Sequence, residues 1–233
     1  MKIKLFTLPN AITCLNLAAG CVAIERAFAG DFGGAFVWVV VAAVMDFLDG
    51  LVARLLHAYS ETGKELDSLA DTVSFGAAPA FVLFNLLRQS GFSGWEPWLV
   101  FVVALFSALR LAKFNVDTRQ STEFIGLPTP ANALLIVSLI FLIGTPEGKP
   151  LAFLLSCPWY LIGLALALSA LLVSEIPMFS LKFKSLGWRE NKIRYIFLGL
   201  SLLLLVLSLF GWWMYAPPMI LVLYILLSLI KEL

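Results

Sequence analysis

Eight apolar segments, each about 20 residues long, occupy most of the 233-residue chain. A helix needs about 20 apolar residues to cross a bilayer. Hydrophobic residues make up 61% of the sequence and charged residues only 13%, whereas a soluble domain carries about 25% charged residues. The sequence therefore predicts an all-α, polytopic transmembrane bundle. The predicted spans are 10–29, 35–56, 67–88, 94–114, 127–145, 152–173, 194–211 and 214–231.

Positive charges are unevenly distributed between the connections. With the N-terminus inside, 13 of the 16 Lys and Arg residues fall on the cytoplasmic side, which leaves Arg26, Arg88 and Lys149 outside. Because short cytoplasmic loops carry an excess of Lys and Arg, we predict a multi-pass protein of the cell membrane with a cytoplasmic N-terminus. A basic loop before the seventh span is interpreted as an anchor to anionic lipid. This loop contains Lys182, Lys184, Arg189, Lys192 and Arg194.

Four aspartates lie in two helical segments of this apolar chain. Asp46 and Asp49 are three residues apart, which places them on one face of the second span. The same face carries Gly50, Ala53 and Arg54. Asp67 and Asp71 are four residues apart and share a face of the third span. Since the two spans are antiparallel and joined by a short loop, the four carboxylates are predicted to converge near the cytoplasmic surface.

Converging carboxylates repel one another, and a divalent cation removes the repulsion. Ligands that are all oxygen favour Mg²⁺, Mn²⁺ or Ca²⁺, and a pair of such ions suits phosphoryl transfer. Gly50 and Ala53 leave room for a bulky ligand, and Arg54 offers a planar fork for phosphate. A divalent cation transporter stays open as an alternative, although a fixed cation at Arg54 is unfavourable beside a cation path.

The spacing of these residues resembles the signature of the CDP-alcohol phosphotransferases, which reads D-x-x-D-G-x-x-A-R, eight residues, then G-x-x-x-D-x-x-x-D. All eight fixed positions are present within 46–71, where Gly63 supplies the last glycine. Other stretches resemble the integral-membrane phosphatidylserine synthase branch of this family. They are LPNAITCLNLAAG (8–20), ELDSLADTVSFGAAPA (65–80), RLAKFNV (110–116) and GLPTPANA (126–133). The resemblance covers about residues 5–180.

The resemblance implies a fold and an activity. It implies a six-helix core within 1–180. The apolar pattern adds, in 181–233, the basic loop and about two helices that are not an independent domain and that form a transmembrane hairpin or one re-entrant element. The implied reaction transfers the phosphatidyl group from CDP-diacylglycerol to L-serine, giving phosphatidylserine and CMP. Another acceptor, glycerol 3-phosphate or inositol phosphate, stays open. Membrane lipid is an implied partner, a homodimer is implied by analogy, and no nucleic acid is expected.

The resemblance also implies roles for individual residues. Asp46, Asp49, Asp67 and Asp71 would bind two divalent cations, Mg²⁺ or Mn²⁺, and Asp71 would also be the base that deprotonates the incoming hydroxyl. The residues expected to bind CDP-diacylglycerol are Gly50, Ala53, Arg54, Ser60, Gly63, Asn10 and Thr13. The residues expected to bind serine are Arg110, Lys113 and Asn115. Arg110 and Lys113 have an alternative interpretation as cations that extend to the lipid headgroups.

Overall fold

The computed structural model describes residues 5–117, 124–179, 187–208 and 213–230. Predictions for Lys182, Lys184 and the turn at 211–212 lie outside these ranges. The α-helices are α1 (Leu8–Phe28), α2 (Phe32–Leu55), α3 (Glu61–Asp71), α4 (Ala78–Gln89), α5 (Val102–Val116), α6 (Thr129–Ile143), α7 (Pro158–Val173), α8 (Trp188–Ser208) and α9 (Ala216–Ile230). A π-helical turn covers Thr72–Ala77, and 3₁₀ segments cover Glu96–Phe101, Pro146–Leu155 and Trp213–Tyr215.

The eight predicted spans correspond to helical rods in the described ranges, because α3, the π-helical turn and α4 form one rod. Six rods are long and apolar enough to cross a membrane, so the protein is an all-α, multi-pass membrane protein. The fifth predicted span corresponds to α6, which is shorter and covers Thr129–Ile143, and the segment Pro146–Leu155 that follows it meets α6 at 107°. Pro146 and Pro150 lack the amide hydrogen that an α-helix needs. The sixth predicted span is shorter, because α7 begins only at Pro158.

Helix α1 packs against both α2 and α3. Its buried face consists of small and polar residues, namely Pro9, Asn10, Thr13, Asn16, Ala19, Gly20, Ala23 and Ala27. Small residues let helix backbones approach closely in a membrane. The polar members of this face lie in the first half of α1, where they meet the end of α2 and the body of α3. Helix α1 therefore contributes the third wall of the region in which the aspartates were predicted to converge.

The π-helical turn Thr72–Ala77 separates α3 from α4. Pro79 has no amide hydrogen, so the carbonyl group of Phe75, four residues earlier, lacks its α-helical donor. The turn also packs tightly on α1, because a Cβ atom at Gly20 would collide with Ser74. Turns of this type are rare and occur frequently at functional sites.

A short strand pair ties the start of α6 to the end of α7. Strand β1 (Phe124–Ile125) pairs antiparallel with β2 (Pro177–Met178), and the amide of Gly126 donates to the Ile176 carbonyl oxygen at 2.9 Å. Gly126 has a φ of +78°, and a Cβ atom there would collide with the carbonyl group of Leu172. Only glycine fits this position without strain.

We expect the Gly126→Ala variant to lower the free energy of unfolding by about 1–3 kcal/mol, because alanine combines an unfavourable φ with a backbone collision. Thermal unfolding in detergent measures the effect as a lower Tm. The matched control is Gly163→Ala on α7, where a Cβ atom meets nothing within 4 Å. Alanine is the better helix former, so the control should keep or raise the Tm. Equal Tm values for both variants would contradict the argument.

Candidate active site

Three of the predicted aspartates form a compact acidic cluster. One carboxylate oxygen each from Asp46 and Asp49 on α2 and from Asp67 on α3 lies within 4.8 Å of the other two. Asp49 is buried, and the Oδ1 atom of Asp67 is buried without a hydrogen-bond partner in the described part of the chain. Carboxylates this close repel one another. The orphaned oxygen and the oxygen-only ligand set fit a hard divalent cation.

Asp71 lies one helical turn beyond Asp67, about 6 Å further along the axis. Its side chain is buried, and its Oδ1 atom accepts a hydrogen bond of 3.0 Å from the Nδ2 of Asn16. The Ser74 hydroxyl in turn donates to the backbone oxygen of Asn16 at 2.9 Å. The structure thus brings three aspartates together and holds the fourth beside them, so a metal-binding role for Asp71 stays a prediction.

Helix α1 holds one aspartate from each of its two neighbours. The Thr13 hydroxyl lies 2.6 Å from the Oδ2 atom of Asp49 and donates to it, while Asn16 donates to Asp71. Thr13 was expected to bind CDP-diacylglycerol, and Asn16 was not among the predicted site residues. The available signal was the spacing of Asn10, Thr13 and Asn16, which recur every three residues and share one face of α1.

A cavity of about 900 Å³ opens beside the acidic cluster, within the usual size range for ligand pockets. It lies where α1 and α3 begin and α2 ends. Its wall includes Asp49 and Asp67 and every residue predicted to bind CDP-diacylglycerol except Arg54. These are Asn10, Thr13, Gly50, Ala53, Ser60 and Gly63. Arg54 is exposed at the end of α2, and its contact with CDP-diacylglycerol stays a prediction.

The glycines of the cavity wall differ in what they do. A Cβ atom at Gly50 would meet nothing within 4 Å, so protein packing does not require glycine there and the bare backbone faces open space. At Gly63 a Cβ atom would lie 3.0 Å from the Ser60 hydroxyl oxygen. Ser60 caps α3 by accepting a hydrogen bond of 3.0 Å from the Gly63 amide. The N-terminus of α3 therefore faces the cavity, and its dipole favours an anion.

Arg110 is buried inside the bundle, with 6% of its surface exposed. Its guanidinium group lies 3.4 Å from the Thr129 hydroxyl oxygen and 5.0 Å from the ring centroid of Phe114. It also interacts electrostatically with the Asp71 carboxylate. A cation in this position suits a ligand carboxylate better than a lipid headgroup at the surface.

Lys113 and Asn115 both bind other side chains of the protein. The Lys113 ammonium group pairs with Glu175 at 2.5 Å, and the Asn115 amide donates to the Ser68 hydroxyl at 2.9 Å. These bonds connect the end of α5 to α3 and to the segment that follows α7. Their predicted contact with serine stays a prediction, and the bonds give both residues a structural role.

Comparisons with known proteins agree with this geometry. The profile of the family described as CDP-alcohol phosphatidyltransferase matches residues 6–174. Three relatives all bear the name CDP-diacylglycerol--serine O-phosphatidyltransferase. The Mycobacterium leprae protein is 36% identical over 76% of this chain and 59% of its own length. The Mycobacterium tuberculosis protein of strain H37Rv is 37% identical over 76% and 62%, and the Helicobacter pylori protein of strain 26695 is 34% identical over 85% and 81%.

The chain thus spans about three fifths of the length of the mycobacterial relatives and most of the Helicobacter relative. The family match includes α1 to α7 and the whole aspartate signature. The chain belongs to the CDP-alcohol phosphatidyltransferase family.

Proposed function

We propose that the protein transfers the phosphatidyl group of CDP-diacylglycerol to L-serine and releases CMP. The convergence of Asp46, Asp49 and Asp67 carries this proposal, since Asp49 and Asp67 form part of the wall of a cavity of about 900 Å³. The activity for which the relatives are named supports serine as the acceptor, since they are 34–37% identical to this chain. The distribution of Lys and Arg supports a cell-membrane protein with the cavity on the cytoplasmic face.

The position of the cavity suits a lipid and a soluble substrate. It lies at the end of the bundle, so the nucleotide of CDP-diacylglycerol can enter it from water while the acyl chains stay in the bilayer. Gly50 and Ala53 let the pyrophosphate approach the α2 backbone. The N-terminus of α3 favours its negative charge, and Arg54 is long enough to reach it from the rim. The resemblance further supports a homodimer, with the reacting residues confined to 1–180.

Asp46, Asp49, Asp67 and Asp71 would hold two divalent cations, Mg²⁺ or Mn²⁺. Bound there, such ions neutralise phosphate oxygens and stabilise the leaving group of a phosphoryl transfer. The protein itself contributes a proton acceptor. As the serine hydroxyl oxygen forms a bond to phosphorus and the bond from phosphorus to the CMP oxygen breaks, the hydroxyl proton passes to the Asp71 carboxylate. Asn16 orients that carboxylate by its hydrogen bond.

The experiment that tests this function incubates purified protein with CDP-diacylglycerol and a panel of acceptors, and measures CMP. We expect L-serine to support release, and phosphatidylserine to form in equal amount. Release with glycerol 3-phosphate or inositol phosphate instead would assign the chain to another branch of the family. A protein that releases no CMP but carries Mn²⁺ into sealed vesicles would be a transporter.

We expect the Gly50→Ala variant to lower the rate of CMP release by roughly 10²-fold, because a methyl group would displace the substrate from its reacting position. Its Tm should stay unchanged or rise, since the added Cβ meets no protein atom and alanine favours helix. The matched control is Gly199→Ala on α8, which is equally open and should leave both activity and Tm intact. A Gly50→Ala variant with full activity would argue against ligand contact at this position.

A further inference from the structure

Asn132 on α6 is a buried amide that the protein leaves unsatisfied. Its side chain is fully buried, with 0% exposure, and neither its Nδ2 nor its Oδ1 atom has a hydrogen-bond partner among the residues that the structure describes. Ser138, on the same helix, is buried as well but donates to the Leu135 carbonyl oxygen at 3.2 Å. Buried polar groups nearly always have partners. The five residues that follow Asn132, at 133–137, are apolar, so a leucine would suit α6 better than an unpartnered amide.

The position of Asn132 connects it to the buried cation of the site. It lies one turn beyond Thr129, about 4.5 Å along the helix axis and on the same face. Thr129 faces the guanidinium group of Arg110, which interacts electrostatically with Asp71. One short region therefore contains a cation, an amide with a free donor and a free acceptor, and the proposed base. These are complementary to the carboxylate, the ammonium and the hydroxyl of a 2-amino-3-hydroxy acid.

We propose that Asn132 is a specificity-determining residue of the acceptor site, where its amide binds the ammonium group of the amino acid while Arg110 binds the carboxylate. The proposal rests on the proposed function and deepens it by assigning one substrate group to each residue. A carboxylate matches the guanidinium fork in charge and shape. The Oδ1 atom of Asn132 accepts from the ammonium without adding a further negative charge beside Asp71.

The test combines Asn132→Leu with two serine analogues, each of which lacks one group. Ethanolamine lacks the carboxylate, and 3-hydroxypropionate lacks the ammonium. In Asn132→Leu we expect kcat/KM for L-serine to fall about 10- to 100-fold, as for a lost hydrogen bond to a charged group, while the KM for CDP-diacylglycerol stays constant. The kcat/KM for ethanolamine should fall by the same factor, and the kcat/KM for 3-hydroxypropionate should stay unchanged. An analogue that reacts too slowly is compared as an inhibitor of the serine reaction.

Two further variants complete the design. Arg110→Gln should lower kcat/KM for L-serine and 3-hydroxypropionate and leave kcat/KM for ethanolamine unchanged. The two analogues therefore respond in the opposite way to this variant and to Asn132→Leu. Ser138→Ala removes a buried hydroxyl that donates a hydrogen bond within its own helix, and it should leave kcat/KM for all three acceptors unchanged. Should Asn132→Leu fail to fold, Asn132→Ser keeps a smaller polar group and should give a weaker loss with the same selectivity.

The outcomes separate this inference from the proposed function. If Asn132→Leu lowers kcat/KM for L-serine and for 3-hydroxypropionate by the same factor, or raises the KM for CDP-diacylglycerol, Asn132 does not bind the ammonium and the assignment is wrong. If the wild-type protein releases CMP only with an acceptor other than L-serine, the proposed function is wrong, and so is the amino-acid site that rests on it. A loss confined to compounds that carry an ammonium group supports both.

Discussion

The Asp71→Asn variant is expected to lose serine-dependent CMP release by a factor of about 10² to 10⁴, the usual contribution of a general base. Asparagine has nearly the same shape as aspartate, and its amide oxygen can still accept the hydrogen bond from Asn16. What it cannot do is take the proton of the serine hydroxyl. The fold should therefore survive, and the loss should appear in kcat more than in the KM for either substrate.

Three measurements make this prediction decisive. CMP release gives the rate, gel filtration in detergent reports the folded state, and Tm reports stability. The matched control is Glu65→Gln, which removes a carboxylate from the exposed side of the same helix and should leave the rate unchanged. A Asp71→Asn enzyme with near-normal kcat would remove Asp71 from the role of base and would point to water or another carboxylate.

Chelation of divalent cations is expected to lower the rate of CMP release by an equally large factor, because the carboxylates of the acidic cluster repel one another until a cation binds. We expect EDTA to abolish CMP release and Mg²⁺ or Mn²⁺ to restore it. A second measurement avoids activity altogether. A cation that relieves the repulsion among Asp46, Asp49 and Asp67 stabilises the folded state in proportion to its binding, so Mn²⁺ should raise the Tm of the substrate-free protein.

Variants of the acidic cluster test whether that stabilisation arises there. The Tm increase with Mn²⁺ should be much smaller in Asp67→Asn. This variant removes the carboxylate whose Oδ1 atom is buried without a partner among the described residues. It should persist in Glu65→Gln. A rate that is indifferent to EDTA, or a Tm increase that is the same in both variants, would contradict cation binding by these carboxylates.

The acidic cluster was predictable because helical periodicity fixes which residues share a face. Spacings of three and four residues placed each aspartate pair on one side of its helix, and the structure brings Asp46, Asp49 and Asp67 together as predicted. The partner of Asp71 was harder to predict. Asn16 lies 55 residues away in sequence, and periodicity gives the face of a residue but not the helix that packs on it.

Two features of the fold cannot be read from the apolar pattern of the sequence. The segment 127–145 was predicted as one span, whereas α6 covers only Thr129–Ile143 and the chain turns by 107° into the segment Pro146–Leu155. The second feature is the ion pair between Lys113 and Glu175, and the predicted contact of Lys113 with serine stays a prediction. Both partners become neighbours only through packing of segments that are distant in sequence.

The π-helical turn Thr72–Ala77 has a mechanical consequence for the rod that contains it. One extra residue per turn offsets everything downstream by about 100° relative to an uninterrupted α-helix. The turn thus sets which face each half of the rod presents to its neighbours. The upstream half turns Asp67 toward the aspartates of α2 and Asp71 toward Asn16 of α1, while the downstream half still buries Val82 and Leu83 in the core. Deleting a single residue from the turn would rotate one half relative to the other by about 100°, so the length of this turn, as much as its composition, keeps the aspartates and the buried core residues on their own faces.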